Sequence, residues 1–369
     1  MGDSKRLMSL DALRGFDMFF ITGGAGMIAW LCTALGAGDS WLAQQMQHVP
    51  WAGLAHHDTI FPLFLFLAGV SWPFSLAAQE AKGRTPWQIH RKVIVRALIL
   101  FTFGMIMGGL LKFKLPFRIP SVLGQIGLAW GGAAIICYHV RKTLPRLAII
   151  AAILVGYTLF MSFTGAPGAP VGADLYSKEW NVISWFDRTL MPNYIYVKGV
   201  YDPESLFSAV SAIALAMLGV TAGTILREER LSGNRRALVL LGLSLVSLVL
   251  ALLFIYVFNV PIVKALWSSS FILAAAAYSF AMLALFYWII DVKDFRGWSF
   301  YFRVIGMNSI TVYLLMNMGV IGVLNRYLFC GTVDLFPADW ARFANNTCYQ
   351  LTCWLTLWML YRHKVFLKV

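Results

Sequence analysis

Residues 48–69 read HVPWAGLAHHDTIFPLFLFLAG, with four ionisable side chains, His48, His56, His57 and Asp58, gathered at the mouth of an apolar run. A charge at the bilayer centre costs about 3 kcal/mol or more, so groups held at the edge of such a run mark a functional boundary. The run continues to residue 79, the roughly 20-residue length that crosses a ~30 Å hydrocarbon core. Working outward, the same pattern recurs, and spans are predicted near 15–36, 58–79, 93–111, 120–139, 147–165, 205–226, 237–258, 270–291, 301–325 and 341–361. With 59% hydrophobic and only 13% charged residues and a mean hydropathy of +0.71, the chain reads as all-α, a polytopic transmembrane helical bundle of about ten spans. A membrane barrel would instead alternate in ten-residue segments, and these runs are continuous.

Short basic connections follow every second span: Lys5, Arg6 and Arg14, then residues 82–96, 141–146, 227–236, 293–303 and 362–368. Placing the N-terminus in the cytoplasm puts 21 of the 30 Lys and Arg inside and 9 outside, and an even span count returns the C-terminus to the same side. The net charge of +13 is what this topology produces, so no nucleic-acid partner is expected. The opening MGDSKRLMSLDALRG leads into a span carrying Asp17, and the first helix is expected to stay attached. Five cysteines, Cys32, Cys137, Cys330, Cys348 and Cys353, make no C-x-x-C pair, and only Cys330 with Cys348 suggests a bridge. His56 and His57 point about 100° apart on a helix and lack a third ligand, so no metal is expected.

Two connections on the outer side, 37–57 and 166–204, are long, and long loops that are not linkers tend to bind. The second carries Trp180, Trp185, Tyr194, Tyr196 and Tyr201, which suit the face of a sugar and equally a membrane interface. No repeat or linker divides the chain, so residues 1–369 read as one transmembrane domain with both loops contributing to a site. Within the spans, Asp11 and Asp17 each lie three residues from Arg14, the spacing of local ion pairs. Arg118 and Gln125 share nearly one face in RIPSVLGQIGL; Lys264, Trp267 and Ser269 fall in KALWSSSF; Asn308 and Tyr313 fall in GMNSITVY; Asp202 and Glu204 precede the sixth span. One buried amide is interhelical glue. A polar set spread over five helices is expected to line a cavity.

The fragments SLDALRGFDMF, HVPWAGLAHHDTIFPLFLFLAG, RIPSVLGQIGL, the Asp187 and Arg188 pair, YDPESLFSAVSAIALAMLGVTAG, KALWSSSF and GMNSITVY occur in the order and at about the spacing of the heparan-alpha-glucosaminide N-acetyltransferase family and its bacterial relatives, and the sequence resembles that family over nearly its whole length. Its LDALRG start also resembles the separate acyltransferase-3 O-acetylases. The resemblance implies acetyl transfer from cytoplasmic acetyl-CoA to the amine of a glucosamine-type sugar, free or ending a saccharide, on the far side of a membrane. It also implies a histidine in the first outer loop before a W-x-G step, here His48 with Trp51 and Gly53. Relatives often carry an asparagine in the first span that contacts acetyl-CoA; this chain has FFITGGAG, with Ile21 or Thr22 nearest. The large lumenal domain of animal members is not matched in this sequence, so the membrane core alone is expected. The expected setting is the bacterial inner membrane, and apolar outer faces are compatible with a homodimer.

Amine attack on a thioester needs a group to take a proton and donors aimed at the developing oxyanion. An imidazole, with an unperturbed pKa of ~6.5, serves as base near neutrality or as nucleophile through an acetyl-imidazole. Both routes stay open for His48. Asp58 either orients that ring or caps the second span. Arg118, Gln125, Lys264 and Asn308, with Asp202, Glu204, Trp267, Ser269 and Tyr313, are the candidates for holding thioester, oxyanion or sugar. Arg14, Arg91, Lys92, Arg96 and Arg303 are available for the phosphates of CoA, with Gly23 and Gly24 either admitting the pantetheine arm or packing helices closely. An O-acetylase of a surface polysaccharide, or a secondary transporter of a sugar or small solute, would use many of the same groups. The transporter would typically show inverted repeats and broken helices, and neither is evident in the sequence.

Overall fold

In a computed structural model the chain is described for residues 7–112, 117–192, 194–197 and 199–367; Lys5, Arg6 and Lys368 of the basic set lie outside this range. Among the described residues there are helices and no strands, apart from three isolated bridges. Among the described residues seven helical spans are long and apolar enough to cross a membrane, and a bent pair makes an eighth. Two more helices, α5 (Pro86–Met107) and α15 (Ala338–Arg362), have the length but a more polar surface.

The first predicted span is broken. Helix α1 (Met8–Phe19) passes through a π turn at Phe20–Gly24 into α2 (Ala25–Ala34), and Gly23 takes φ 121°, a conformation that favours glycine. The ninth is divided into α12 (Phe300–Gly306), α13 (Ser309–Asn317) and α14 (Val320–Phe329), with Gly319 at φ 78° between the last two. The continuous helices expected at these positions are therefore interrupted, because hydropathy runs on through a break that backbone geometry makes. Short helices α3 (Trp41–Gln45) and α8 (Val182–Leu190) organise the two long loops.

The centre is a seam between α4 (His56–Glu80) and α9 (Ala209–Arg227). A Cβ on Gly69 would run into the Ala216 carbonyl, and one on Gly219 or Gly223 into the carbonyl of Phe66 or Val70. In lipid such close backbone approach is what holds helices together, since burial in hydrocarbon gives little drive. Around the seam stand α6 (Val122–His139), α7 (Thr143–Phe163) and α11 (Ser269–Tyr287), with α10 (Gly233–Tyr256) outside. Of their most apolar windows, 78% is buried in α9 and 22% in α10, so α10 turns its leucines outward. Thr85, Ser121, Asn181, Ser232 and Ser268 cap α5, α6, α8, α10 and α11 by accepting backbone N–H groups. All five cysteines are free, Cys330 and Cys348 included. The rigid α4 seam sets the position of everything at its N-terminus.

Candidate active site

Asp58 sits in the first turn of α4 and performs both roles the sequence left open. Its Oδ2 accepts from the backbone N–H of Ala55 (3.2 Å) and Val49 (3.3 Å), and its Oδ1 lies 2.8 Å from His48 Nδ1. The cap thus folds the 48–55 segment back over the helix and fixes the ring in one act. A carboxylate only accepts, so the Nδ1 hydrogen points at Asp58 and Nε2 remains as the free lone pair. The Asp58 side chain is 2% exposed and that of His48 55%: a buried anchor holds a ring that solvent and ligands can reach.

Lys264 closes this group from the opposite element. The backbone of Gly53 donates to Ile262 (2.8 Å), which ties the histidine loop to the turn Lys264–Leu266. Lys264 Nζ then donates to Asp58 Oδ1 (3.3 Å) and lies 3.1 Å from His48 Nδ1, a contact without a hydrogen bond while that nitrogen carries the hydrogen directed at Asp58. Burial pulls the Lys264 ammonium below its ordinary range, with Asp58 and Glu204 acting against it. His48, Asp58 and Lys264 line a cavity of about 350 Å³ together with Trp51, Tyr196, Tyr201, Arg118 and Glu204. Trp51 is held by donating its indole N–H to the Tyr176 carbonyl (2.9 Å) and meets Tyr201 edge-on.

Arg118 belongs to the wall. Its Nε and Nη2 donate to the two oxygens of Asp202 (2.9 and 2.5 Å), Nη2 also reaches Glu204, and the guanidinium lies over Tyr196. Burial alone would depress Arg118, but the two carboxylates outweigh it and keep it charged; burial raises Glu204, with Arg118 opposing. Asp202 stands behind the surface as the partner that orients Arg118.

A second cavity, about 230 Å³, opens farther along α4, lined by Arg14, Arg96, Asn308, Ser309, Ala68 and Leu367. From Asp58 to Ala68 is ten residues, or about 15 Å of helix. Arg96 lies over Trp130 at 4.4 Å, and its Nε is buried without a partner. Between the two cavities is a void of about 30 Å³ walled by Met18, Ile21, Phe61, Phe64, Leu123, Ile126, Ile310 and Tyr313. This apolar waist flanks the stretch of α4 between the two cavities, where the polar residues had suggested a continuous polar lining.

Several candidates stand elsewhere. Asn308 belongs to the second cavity, away from His48, donating to the Val365 carbonyl (3.3 Å). Gln125 turns to α9, donating to Ser208 (2.9 Å). Ser269 donates to the Leu154 carbonyl and accepts from Thr158, both at 2.8 Å, binding α11 to α7. Trp267, left-handed at φ 49°, is fully buried against Phe61 and Phe271. Gln125 and Ser269 join helices, the common use of a lone polar group in a membrane, while the Trp267 ring fills the core with its Nε1 unpartnered. Gly23 and Gly24 meet Tyr349, Gln350 and the Phe19 ring, so they serve packing at the break. Thr22 donates to Gln350 (2.9 Å), which leaves Ile21 of that pair at the waist. Arg91 and Lys92 line a separate groove on the outer face of α5, and Arg303 lines none of these cavities. Asp187 and Arg188 do not pair; Asp187 accepts from Ser205 (3.0 Å) and Arg188 donates to the Val200 carbonyl (2.8 Å). The sequence reading assigned no role to the contact of His56 with Tyr278 (3.0 Å), because a single tyrosine in a small-residue run carries no pattern.

No family model matches the chain. Heparan-alpha-glucosaminide N-acetyltransferase of Mus musculus is 25% identical to it over 427 aligned positions, which cover 99% of this chain and 61% of that protein. The Homo sapiens protein of the same name is 24% identical, covering 99% and 60%. The chain thus spans about 60% of the length of these curated relatives. It is a distant relative of the heparan-alpha-glucosaminide N-acetyltransferases.

Proposed function

We propose that this protein is a membrane-embedded acetyltransferase that moves an acetyl group from cytoplasmic acetyl-CoA to the amine of a glucosamine-type sugar on the extracytoplasmic side. The observation that carries the reading is the His48, Asp58 and Lys264 group on the wall of an aromatic cavity. Asp58 fixes the ring so that Nε2 takes the proton as the amine nitrogen bonds the acetyl carbon, and it stabilises the imidazolium that results. The same Nε2 serves as nucleophile if an acetyl-imidazole forms first. Lys264 is the donor for the oxyanion: its ammonium has N–H groups beyond the one directed at Asp58, whereas Arg118 is engaged by both Asp202 and Glu204. Trp51, Tyr196 and Tyr201 offer faces and hydroxyls to a pyranose ring.

The donor fits the second cavity. Arg14 and Arg96 supply cations for phosphates, and the orphaned Nε of Arg96 is a buried donor that an anion would satisfy. A pantetheine arm lying along α4 would cross the apolar waist and bring its thioester to His48, which requires the waist to widen. A transporter reading draws support from the two broken spans, yet residues at their breaks, Ile21 of the waist and Met307 and Asn308 of the second cavity, stand at the place proposed for the donor. The test is thiol release from acetyl-CoA by reconstituted protein. It is expected to depend on an added amino sugar and to vanish in His48→Ala with folding and insertion retained. Normal turnover in that variant, or solute uptake without acetyl-CoA consumption, would exclude the reading.

A further inference from the structure

Helix α5 sends its cations to two sides. Arg96 turns inward over Trp130 and lines the second cavity, whereas Arg91 and Lys92, one turn earlier, are exposed and line a groove of about 530 Å³ with Arg84, Gln88 and Val95. That groove holds surplus charge. Among the described residues no carboxylate pairs with Lys82, Arg84, Arg91 or Lys92. The sequence contains no Asp or Glu between Glu80 and Asp174, and Glu80 is taken by Arg141 at 2.7 Å. Arg84 is steadied by donating to Gln79 Oε1 (3.4 Å), and the positive end of the α5 dipole adds charge of the same sign.

Basic loops by themselves follow from membrane topology. Topology does not dictate what adjoins them on this helix. Gln88, Arg91, Lys92, Val95, Leu98 and Ile99 recur at three- and four-residue steps and are all exposed, so the charged groove runs directly into an apolar stripe on the same face. Leu98 is 59% exposed, and Trp87, 70% exposed, stands at the polar end as an interfacial anchor does. From Val93 to the last residue of α5, Met107, is about 21 Å of helix, more than the ~15 Å of one leaflet of a ~30 Å core. A soluble phosphate ester would use the cations and leave the stripe without a purpose; an acidic peptide would meet only the part of the groove that water reaches. One molecule carries both features. We propose that the α5 groove binds an anionic phospholipid, its headgroup phosphate held by Arg84, Arg91 and Lys92 and an acyl chain laid along Val95, Leu98 and Ile99. Gln88 Oε1 accepts from the Thr85 N–H (3.0 Å), which leaves its amide hydrogens to donate to the headgroup. The site stands apart from both cavities and does not depend on the acetyl-transfer reading.

The test is photo-crosslinking in phosphatidylcholine vesicles that hold the full-length protein and a small fraction of phosphatidylglycerol with a photoactivatable group on its acyl chain. Mass spectrometry of the labelled peptides is expected to place the label on residues 95–99, half-saturating at a lower lipid fraction than equally tagged phosphatidylcholine. Each Lys or Arg at an anionic surface is worth about fivefold, or about 1 kcal/mol. Arg91→Gln with Lys92→Gln is therefore expected to raise the half-saturating fraction about 25-fold. Arg230→Gln with Arg235→Gln removes the same charge from exposed positions on another loop and should leave it unchanged. An equal loss in both double variants, or equal labelling by the two lipids, would reduce the groove to diffuse attraction and overturn the proposal. Displacement of the tagged lipid by millimolar acetyl-CoA or inorganic phosphate would assign the cations to a soluble phosphate and overturn it as well. Should the double variant at 91 and 92 fail to fold, the comparison of the two tagged lipids on the unmodified protein still decides.

Discussion

The two cavities along α4 differ in how their charges are balanced. In the one that holds His48, cations and anions are matched within the protein: Arg118 with Asp202 and Glu204, Lys264 with Asp58. In the one that holds Asn308, Arg14 is paired with Asp11 (3.7 Å), but the Nε of Arg96 is left unsatisfied and no carboxylate is among the described lining residues. A matched site keeps its geometry without a ligand, which suits a group that must orient a reacting nitrogen. A site with surplus cation is completed by an anion from outside. On the proposed function one end of the bundle serves orientation and the other capture, with the apolar waist between them.

The largest expected effect tests the orientation end. Asp58→Asn keeps an oxygen for the Ala55 and Val49 amides but no longer fixes the charge and tautomer of His48. By analogy with removal of the carboxylate that orients a catalytic histidine, kcat is expected to fall about 10³- to 10⁴-fold. Helicity should hold, while the thermal midpoint is expected to fall because the buried Lys264 ammonium loses its carboxylate. A drop carried by KM for the amino sugar alone would make Asp58 a binding group and dissolve the contrast.

A smaller effect tests the capture end. Arg96→Gln removes a charge-assisted donor, of about 1.5–3 kcal/mol, so KM for acetyl-CoA is expected to rise about 10- to 100-fold. The KM for the acceptor and the kcat at saturating donor should hold. If Arg96→Gln raised the acceptor KM instead, the two ends would have been assigned the wrong way round.

How much of this was legible in sequence follows the range over which each feature is encoded. The spans read well because an apolar run is a local property, and His48 with Asp58 read well because cap, loop and ring lie within eleven residues. The breaks at Gly23 and Gly319 are backbone events inside runs that stay apolar, so hydropathy passed over them. Gln125, Trp267 and Ser269 misled because a polar residue facing another helix and one facing a cavity have the same composition and spacing; only the partner, Ser208, Phe61 or Leu154, distinguishes them. Asp17 misled for the opposite reason. Arg14 offered a partner at the right interval, and it turns instead to Asp11 and to Ser71 on α4.

The smallest expected effect is confined to the orientation end and sharpens the contrast by pH. Asp187 on α8 is buried behind the Arg118 cluster, accepts from Ser205 and leaves Oδ2 unpartnered. Burial pushes its carboxyl up from 3.8 to about 7, with the Ser205 bond pulling the other way. Between those values the folded loop keeps a proton that the opened loop releases, so stability is fully present below about 4 and is withdrawn as pH rises through 7. Each pKa unit corresponds to about 1.4 kcal/mol, and the loss falls on the elements that hold Asp187, not on the whole bundle. Amide hydrogen exchange across residues 182–205, corrected for its intrinsic pH dependence, is therefore expected to quicken between pH 5 and pH 8, while exchange around Asn308 and Arg96 stays flat. Asp187→Asn should abolish the difference between the two pH values, because the amide stays neutral at both. Equal pH sensitivity at both ends would mean that the Asp187 proton is shared by the whole fold, and the division of labour drawn from the two cavities would not extend to their stability.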